Sequence, residues 1–415
     1  MGYTPRIMVS LLILVLLTSL MSGCWDRREL EEQAFILTLG IDKGTIEGSY
    51  LWTFQLAVPR QLAGGGGGGG GGGRQNPSTT VSVEATTLFG ALNLLNSFID
   101  RKANLMHAKA VIVSETVARN DPVPLRTIGR YREVRRNLFV MVAEGKAKDI
   151  ISAYRPVLEQ NPAKFIETLV LTSSFTALVP RTQLQDYLNA LESKSVKATA
   201  ILVGQTGGLA QSKRPNPKVT APFLPGEIPR EGGSPLEIIG VAVFKGPKMV
   251  GKLTGTENRF TALLNGKFKR GFKTFPDPLA PGKSLVLDVR AGSPPVIKVD
   301  LKGKRPLITV HLSLEGDILD IQSSVNYTRL DMLKQLEQFT EKQIATQALK
   351  VINKTQAMGS DIFGFGDIAR HSVTTWAQWE ELNWTELYPK AKINLTVDFS
   401  IRRIGVAYQP PKPGV

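Results

Sequence analysis

The chain has 415 residues, 42% of them hydrophobic and one of them cysteine, so it can build cores for two or three domains but cannot be a disulfide scaffold. Lys and Arg number 51 against 36 Asp and Glu, a formal charge of +15. That balance suits an anionic neighbour, whether nucleic acid, anionic lipid or an acidic wall polymer.

In chain order, the first element is an uncharged apolar run from Ile7 to Leu20, preceded by one basic residue, Arg6, and followed by the small residues Ser22 and Gly23. This is the layout of a signal peptide, predicted over residues 1–23. The run is shorter than the roughly 20 apolar residues of a spanning helix. The lone thiol, Cys24, comes directly after it. A Cys at the first mature position reads as a bacterial lipoprotein, its sulfur carrying a diacylglycerol. Met21 stands where such boxes more commonly hold Leu. The competing reading is an uncleaved anchor helix with an incidental free thiol. Export removes nucleic acid from the list of neighbours, and a tethered chain gains about 1 kcal/mol for each Lys or Arg near an anionic bilayer.

After "WDRRELEEQ", strands are predicted at "AFILTLGIDKG" and "SYLWTFQLAVP", joined by a hairpin loop. The run Gly64–Gly73 reads as a flexible loop, because no Lys-Ser/Thr follows to make it a phosphate cradle. A strand at "TTVSVEA" leads to a helix with Leu88, Leu92, Leu95 and Phe98–Ile99 on one stripe, then a strand at "AKAVIVSE". "LFVMVAEGKAKDI" is strand-like, two helical stretches follow, and "KATAILVG" is a strand that closes an N-terminal α+β domain over 24–204. Residues 205–235, rich in Pro, Gly and charge, read as a linker or long loop. The C-terminal α+β domain is predicted over 236–408. It has five strand-like runs, a short helix near "TENRFTALLNG", a long helix at about 330–358, a Trp-rich helical piece and a closing strand, "AKINLTVDFSIRRIG". Strands and helices cluster instead of alternating, which favours α+β over a doubly wound sheet.

Catalytic patterns are lacking. His107, His311 and His371 stand far apart, none with a second ligand at helical spacing, so no metal site is predicted. No Ser elbow, Walker loop or His-Glu-x-x-His is present. "FGFG" at Phe363–Gly366 reads as a helix cap and tight turn with both rings on the core, with an interaction loop as the sharper alternative. The basic clusters "GRYREVRRN" and "GKFKRGFK" read as solvated faces, with lipid headgroups or an acidic partner as the alternative.

Several separated pieces resemble one family. "GCWDRRELEEQAFILTLGIDKG", through Cys24, Trp25, Asp26, Arg27, Arg28 and Glu29 and then Gly40, Ile41 and Asp42, is similar to the mature N-terminus of the Ger(x)C family. "SDIFGFGDIAR" resembles its later turn through Asp361, Ile362, Gly364, Phe365 and Gly366. "TVDFSIRRIG" resembles its closing strand through Arg402, Arg403 and Gly405, and "EGKAKDI" is a weaker echo. The glycine run has no counterpart there.

The resemblance implies several packed α+β domains in a non-enzymatic lipoprotein, the C-subunit of a spore nutrient-germinant receptor. Its partners would be two integral membrane subunits, A and B, and its place the outer face of the spore's inner membrane. No catalytic residue carries over and no cofactor is implied beyond the diacylglycerol on Cys24. The motif residues Trp25, Asp26, Arg27, Arg28, Asp361, Gly364, Phe365 and Gly366 become candidates for interaction. The alternative function is a lipid-anchored solute-binding protein of an ABC transporter. A cell-wall enzyme has no supporting constellation.

Overall fold

Two apolar runs, "AVIVS" and "FVMVA", have no polar alternation because both of their faces are covered. The computed structural model describes residues 7–13, 29–58, 77–120, 122–153, 156–208 and 223–404. The glycine run and residues 24–28 lie outside them. Residues 7–13 are helical and exposed, and no described helix is long and apolar enough to cross a membrane.

The first sheet has nine strands. They are β1 (Gln33–Lys43), β2 (Tyr50–Ala57), β3 (Ser78–Ala85), β4 (Lys102–Asn104), β5 (Ala110–Ser114), β6 (Phe139–Ala143), β7 (Thr199–Gln205), β8 (Leu236–Lys245) and β9 (Lys248–Leu253). Their order is β3-β2-β1-β5-β6-β7-β8-β9, with β4 beside the start of β1. The centre, β1-β5-β6-β7, is parallel, and the outer strands are antiparallel to their neighbours. Successive side chains of β5 and β6 serve opposite faces. Val111, Val113, Val140 and Val142 join one core with Trp52 and Phe54, while Ile112 and Met141 join another with Ile166 and Val170.

Six helices cover this sheet: α1 (Leu88–Leu95), α2 (Glu115–Asn120), α3 (Val123–Ile128), α4 (Ala147–Ala153), α5 (Pro162–Phe175) and α6 (Leu184–Glu192). Two local expectations change. The strand-like run over 138–150 ends at Ala143 and continues as α4, because Gly145 takes φ +94° and turns the chain. Helix α1 stops at Leu95, which leaves Phe98 outside the apolar stripe and 58% exposed.

The second layer starts with α7 (Gly255–Leu264) and a five-stranded sheet, order β10-β11-β13-β12 with β14 on the other side of β13. These strands are β10 (Arg270–Pro276), β11 (Ser284–Ala291), β12 (Val296–Asp300), β13 (Leu307–Ile321) and β14 (Lys392–Arg403). The long helix α8 (Leu330–Ala357) has a periodicity that predicts an inner stripe of Leu333, Leu336, Thr340, Ile344, Ala348 and Val351; all are buried except Leu333, which is partly buried near the helix start. Its Glu341 and Glu337 accept the Phe399 and Ile401 backbone N–H groups at 2.9 and 2.7 Å, which covers edge groups of β14. Strand β10 has no clear alternation in the sequence, since Arg270 and Lys273 interrupt its apolar residues. The Trp-rich piece is two helices, α10 (Trp376–Leu382) and α11 (Trp384–Leu387), broken at Asn383 with φ +45°.

Residues 236–253, placed at the head of the C-terminal domain by sequence, are the edge of the first sheet. Strand β8 serves both layers: Ala242 and Phe244 face the first core, Val241 and Val243 the second. Gly240 makes this possible, since its φ is +86° and a Cβ there would lie 2.5 Å from the Leu253 carbonyl oxygen. Gly240→Ala should therefore cost at least about 2 kcal/mol through strain and overpacking, read as a lower denaturant midpoint; an unchanged midpoint contradicts this packing.

The β1–β2 loop is held by Glu84 of β3, which accepts from Thr45 Oγ1 and the Ile46 N–H, both at 2.8 Å, and from the Ser49 hydroxyl. The Ser49 hydrogen bond, then those of Ile46 and Thr45, lower the Glu84 pKa from 4.5 to about 2. Its contribution to stability is thus complete above pH 4.5 and is lost as the pH falls towards about 2. Carboxyl-carbon NMR should give Glu84 a midpoint near 2, and a midpoint near 4.5 would show that the loop is not held this way.

Candidate functional site

Among the described residues no group of three His, Cys, Asp or Glu could hold a metal ion. The histidines serve local packing: His107 sits edge-on to Phe35 at 4.7 Å, and His311 pairs with Thr396 Oγ1 at 3.0 Å.

The motif around Asp361 forms the junction between the two layers. Helix α8 ends in a Schellman turn, with Gly359 at φ +64°, its N–H on the Gln356 carbonyl (2.9 Å) and the Ser360 N–H on the Thr355 carbonyl (3.0 Å). The chain then crosses onto the first domain. Ser360 Oγ donates to the Phe244 carbonyl of β8 at 2.6 Å, and the Asp361 carbonyl accepts the Lys197 N–H at 2.7 Å.

The Asp361 side chain is buried and accepts five hydrogen bonds. Its Oδ1 takes the N–H groups of Phe363 (3.0 Å), Gly364 (3.1 Å) and Phe365 (3.4 Å); its Oδ2 takes Gly366 N–H (2.7 Å) and Trp384 Nε1–H (2.9 Å). Burial pushes its pKa up, and the Trp384 indole and the Gly366, Phe363 and Phe365 amides oppose that shift. Gly364 turns the chain at φ +84° into helix α9 (Phe365–Arg370). At Gly366 a Cβ would meet the Ser195 carbonyl at 2.5 Å and Trp384 Cδ1 at 2.6 Å, so only glycine lets α9 approach this closely. Both Phe363 and Phe365 lie in the core, 5.1 Å apart. Asp361, Phe365 and Gly366 are therefore buried and Gly364 is half-buried.

A second aspartate repeats this logic in the first domain. Asp42, in the Gly-Ile-Asp of β1, accepts the Ala147 and Lys148 N–H groups at 2.8 and 2.9 Å and caps α4. A Cβ on Gly40 would lie 2.7 Å from Ile151 Cδ1. Two segments that the sequence separates by about a hundred residues, "GID" and "EGKAKDI", thus form one contact. Trp384, Ser195 and Lys197 were not singled out by sequence. The isolated tryptophan pattern around "NWTEL" was the only available signal, and it did not reveal the indole's partner.

A cleft of about 730 Å³ opens beside the junction, between α5–α6 of the first domain and α7 of the second. Arg181, Lys197, Lys267 and Lys269 line it against Asp186 and Asp367, so its field favours anionic groups. Two members of the "GKFKRGFK" cluster thus stand on this cleft, and Arg270 pairs with Asp288 at 2.7 Å. The fourth, Lys273, is not solvated: its amine is buried over the Phe260 and Phe275 rings, 4.3 and 4.9 Å from their centroids. Burial, with a smaller push from Arg259, lowers its pKa to about 7. On the closing strand, Arg402 pairs with Glu315 at 2.5 Å. Cys24, Trp25, Asp26, Arg27, Arg28 and Gly405 lie outside the described residues.

Replacing Asp361 tests the junction. In Asp361→Asn the amide would face the donors of Gly366 and Trp384, stranding two buried N–H groups at about 1–3 kcal/mol each. Denaturant unfolding should show a loss of this order, whereas Asp367→Asn, at an exposed position, should stay within about 0.5 kcal/mol of wild type. Equal effects from the two would sink the assignment.

Residues 26–204 match the model described as spore germination protein N-terminal domain, and 239–405 match that described as spore germination B3/GerAC like, C-terminal. The chain is 26% identical over 410 residues to spore germination protein KC of Bacillus subtilis, covering 97% of each chain. It is 24% identical over 406 residues, again 97% of each, to the putative spore germination protein YfkR of the same organism. Its fold is similar to the crystal structure of the GerBC protein, at TM-score 0.51 and 16% identity over 88% of this chain and 96% of that one. Neither these matches nor the fold support a transporter's solute-binding protein. With both halves matched in order by the family's models, the chain belongs to the Ger(x)C family of spore germination proteins.

Proposed function

We propose that the chain is the lipid-anchored C-subunit of a nutrient-germinant receptor, acting without catalysis of its own. The observation that carries this is the ordered match of both halves to germination-protein models, with full-length relatives named spore germination proteins. The anchor reading rests on Cys24 behind its apolar run and small residues. A diacylglycerol holds a folded domain durably at a bilayer, where a single acyl chain binds only marginally. Anchoring raises the chain's effective concentration beside its membrane partners, the A and B subunits. Their common place is the outer face of the spore's inner membrane.

The packing described above suits an accessory subunit: Asp361, Gly364, Phe365 and Gly366 are spent on internal contacts. Cys24→Ala should move the chain from the membrane to the soluble fraction and weaken nutrient-triggered germination. Unchanged fractionation together with an undiminished response overturns the proposal. Hydrolysis of cell-wall polymer by the purified chain would overturn its non-enzymatic part.

A further inference from the structure

Strands β1, β5 and β6 are parallel and in step, Thr38 opposite Ala110 and Ala110 opposite Phe139, so all three begin at one end of the first sheet. The short strand β4 lies at that end too, Lys102 opposite Gln33. The segments leading into these strands therefore gather there. Glu31, Glu32, Ile99, Asp100, Arg101 and Lys102 are among the residues that line one shallow depression. His107 sits edge-on to Phe35, with Arg135 and Lys109 close enough to add to the downward push of burial on its pKa.

Two kinds of side chain share this end. Leu30, Phe98 and Met106 are large, apolar and 74, 58 and 43% exposed. The segments that enter the strands at this end also carry Arg101, Lys102, Arg132, Arg135 and Arg136, the last four exposed, together with the exposed acids Glu29, Glu31, Glu32 and Asp100. Several exposed large apolar residues grouped in this way mark an interaction surface. At the opposite end of β1 the exposed Ile46 stands beside Glu47, its N–H held by Glu84.

Covalent geometry selects the occupant. Leu30 lies six positions after Cys24, a reach of about 20 Å, so an anchor on Cys24 keeps this end close to the bilayer. We propose that this end of the first sheet is a membrane-docking face, its Arg and Lys on anionic phospholipid headgroups and Leu30, Phe98 and Met106 at the interface. This rests on the lipid-anchor reading. The arrangement is that of interfacial elements, which combine apolar side chains at the acyl boundary with a basic rim. Docking turns a loose tether into a fixed orientation, with β1 standing away from the membrane and its Ile46 end farthest from it.

The acylated full chain, in vesicles of phosphatidylglycerol and phosphatidylcholine, tests the face. Cys24 carries the lipid, so Phe98→Cys, Met106→Cys and the control Ile46→Cys each offer one thiol for a fluorophore. Brominated lipid should quench positions 98 and 106 severalfold and leave 46 unchanged. Arg132→Glu with Arg135→Glu should reduce quenching at 98 in phosphatidylglycerol vesicles, each lost cation lowering surface attraction about fivefold. Chains that float with vesicles yet show no quenching at 98 and 106, or equal quenching at 46, overturn the face and leave the anchor standing. Chains that do not float overturn the anchor and the face with it. Shielding of 98 and 106 from aqueous iodide without bromine quenching assigns the surface to a second copy of the chain, which also overturns the proposal. Unaltered quenching in the charge-reversed variant removes the headgroup contact.

Discussion

A carboxylate taken out of water must find its hydrogen bonds inside the protein or give up its charge. Asp361 finds five, from four consecutive amides and an indole on a different helix. This one side chain therefore sets the turn after α8, starts α9 and holds α11 against both. The backbone around it reaches across to Phe244 and Lys197, so the same turn that closes the long helix also fastens the second layer to the first. The two glycines of the motif serve this contact, Gly364 by its left-handed conformation and Gly366 by its missing side chain.

Strand β8 is the other half of that fastening. Its alternate residues belong to two cores, so the layers cannot separate without exposing apolar surface on both. Polar ties brace each layer within itself. Lys252 of β9 bridges Glu115 and Glu144 at 2.5 and 2.7 Å, and Lys354 of α8 reaches Glu257 of α7 at 2.8 Å. A chain built this way packs its two layers through a shared strand and a shared turn.

The long, strongly periodic elements were legible from the residues alone. Helix α8 and strands β1, β2, β7, β13 and β14 need only a repeat of 3.6 or 2 and adequate length. Strand β10 escaped because Lys273 turns its amine inward onto Phe260 while Phe272 is exposed, which confuses its alternation, and α4 because its seven residues follow β6 after a short charged turn and are too few to show a helical period. The aspartates were visible as motif residues, but their work was not. Asp42 and Ala147 are distant in sequence, as are Asp361 and Trp384, and only folding brings donor and acceptor together.

The residues by themselves determined the α+β class and the family resemblance, and they placed the single thiol behind an apolar run, because each of these depends on local composition, spacing or order. The tertiary structure alone decided that 236–253 completes the first sheet, that the Phe-Gly-Phe-Gly turn is buried between layers, and that basic residues from separate segments meet at one end of a parallel sheet. Those outcomes depend on strand order and register, which arise from contacts between residues far apart along the chain.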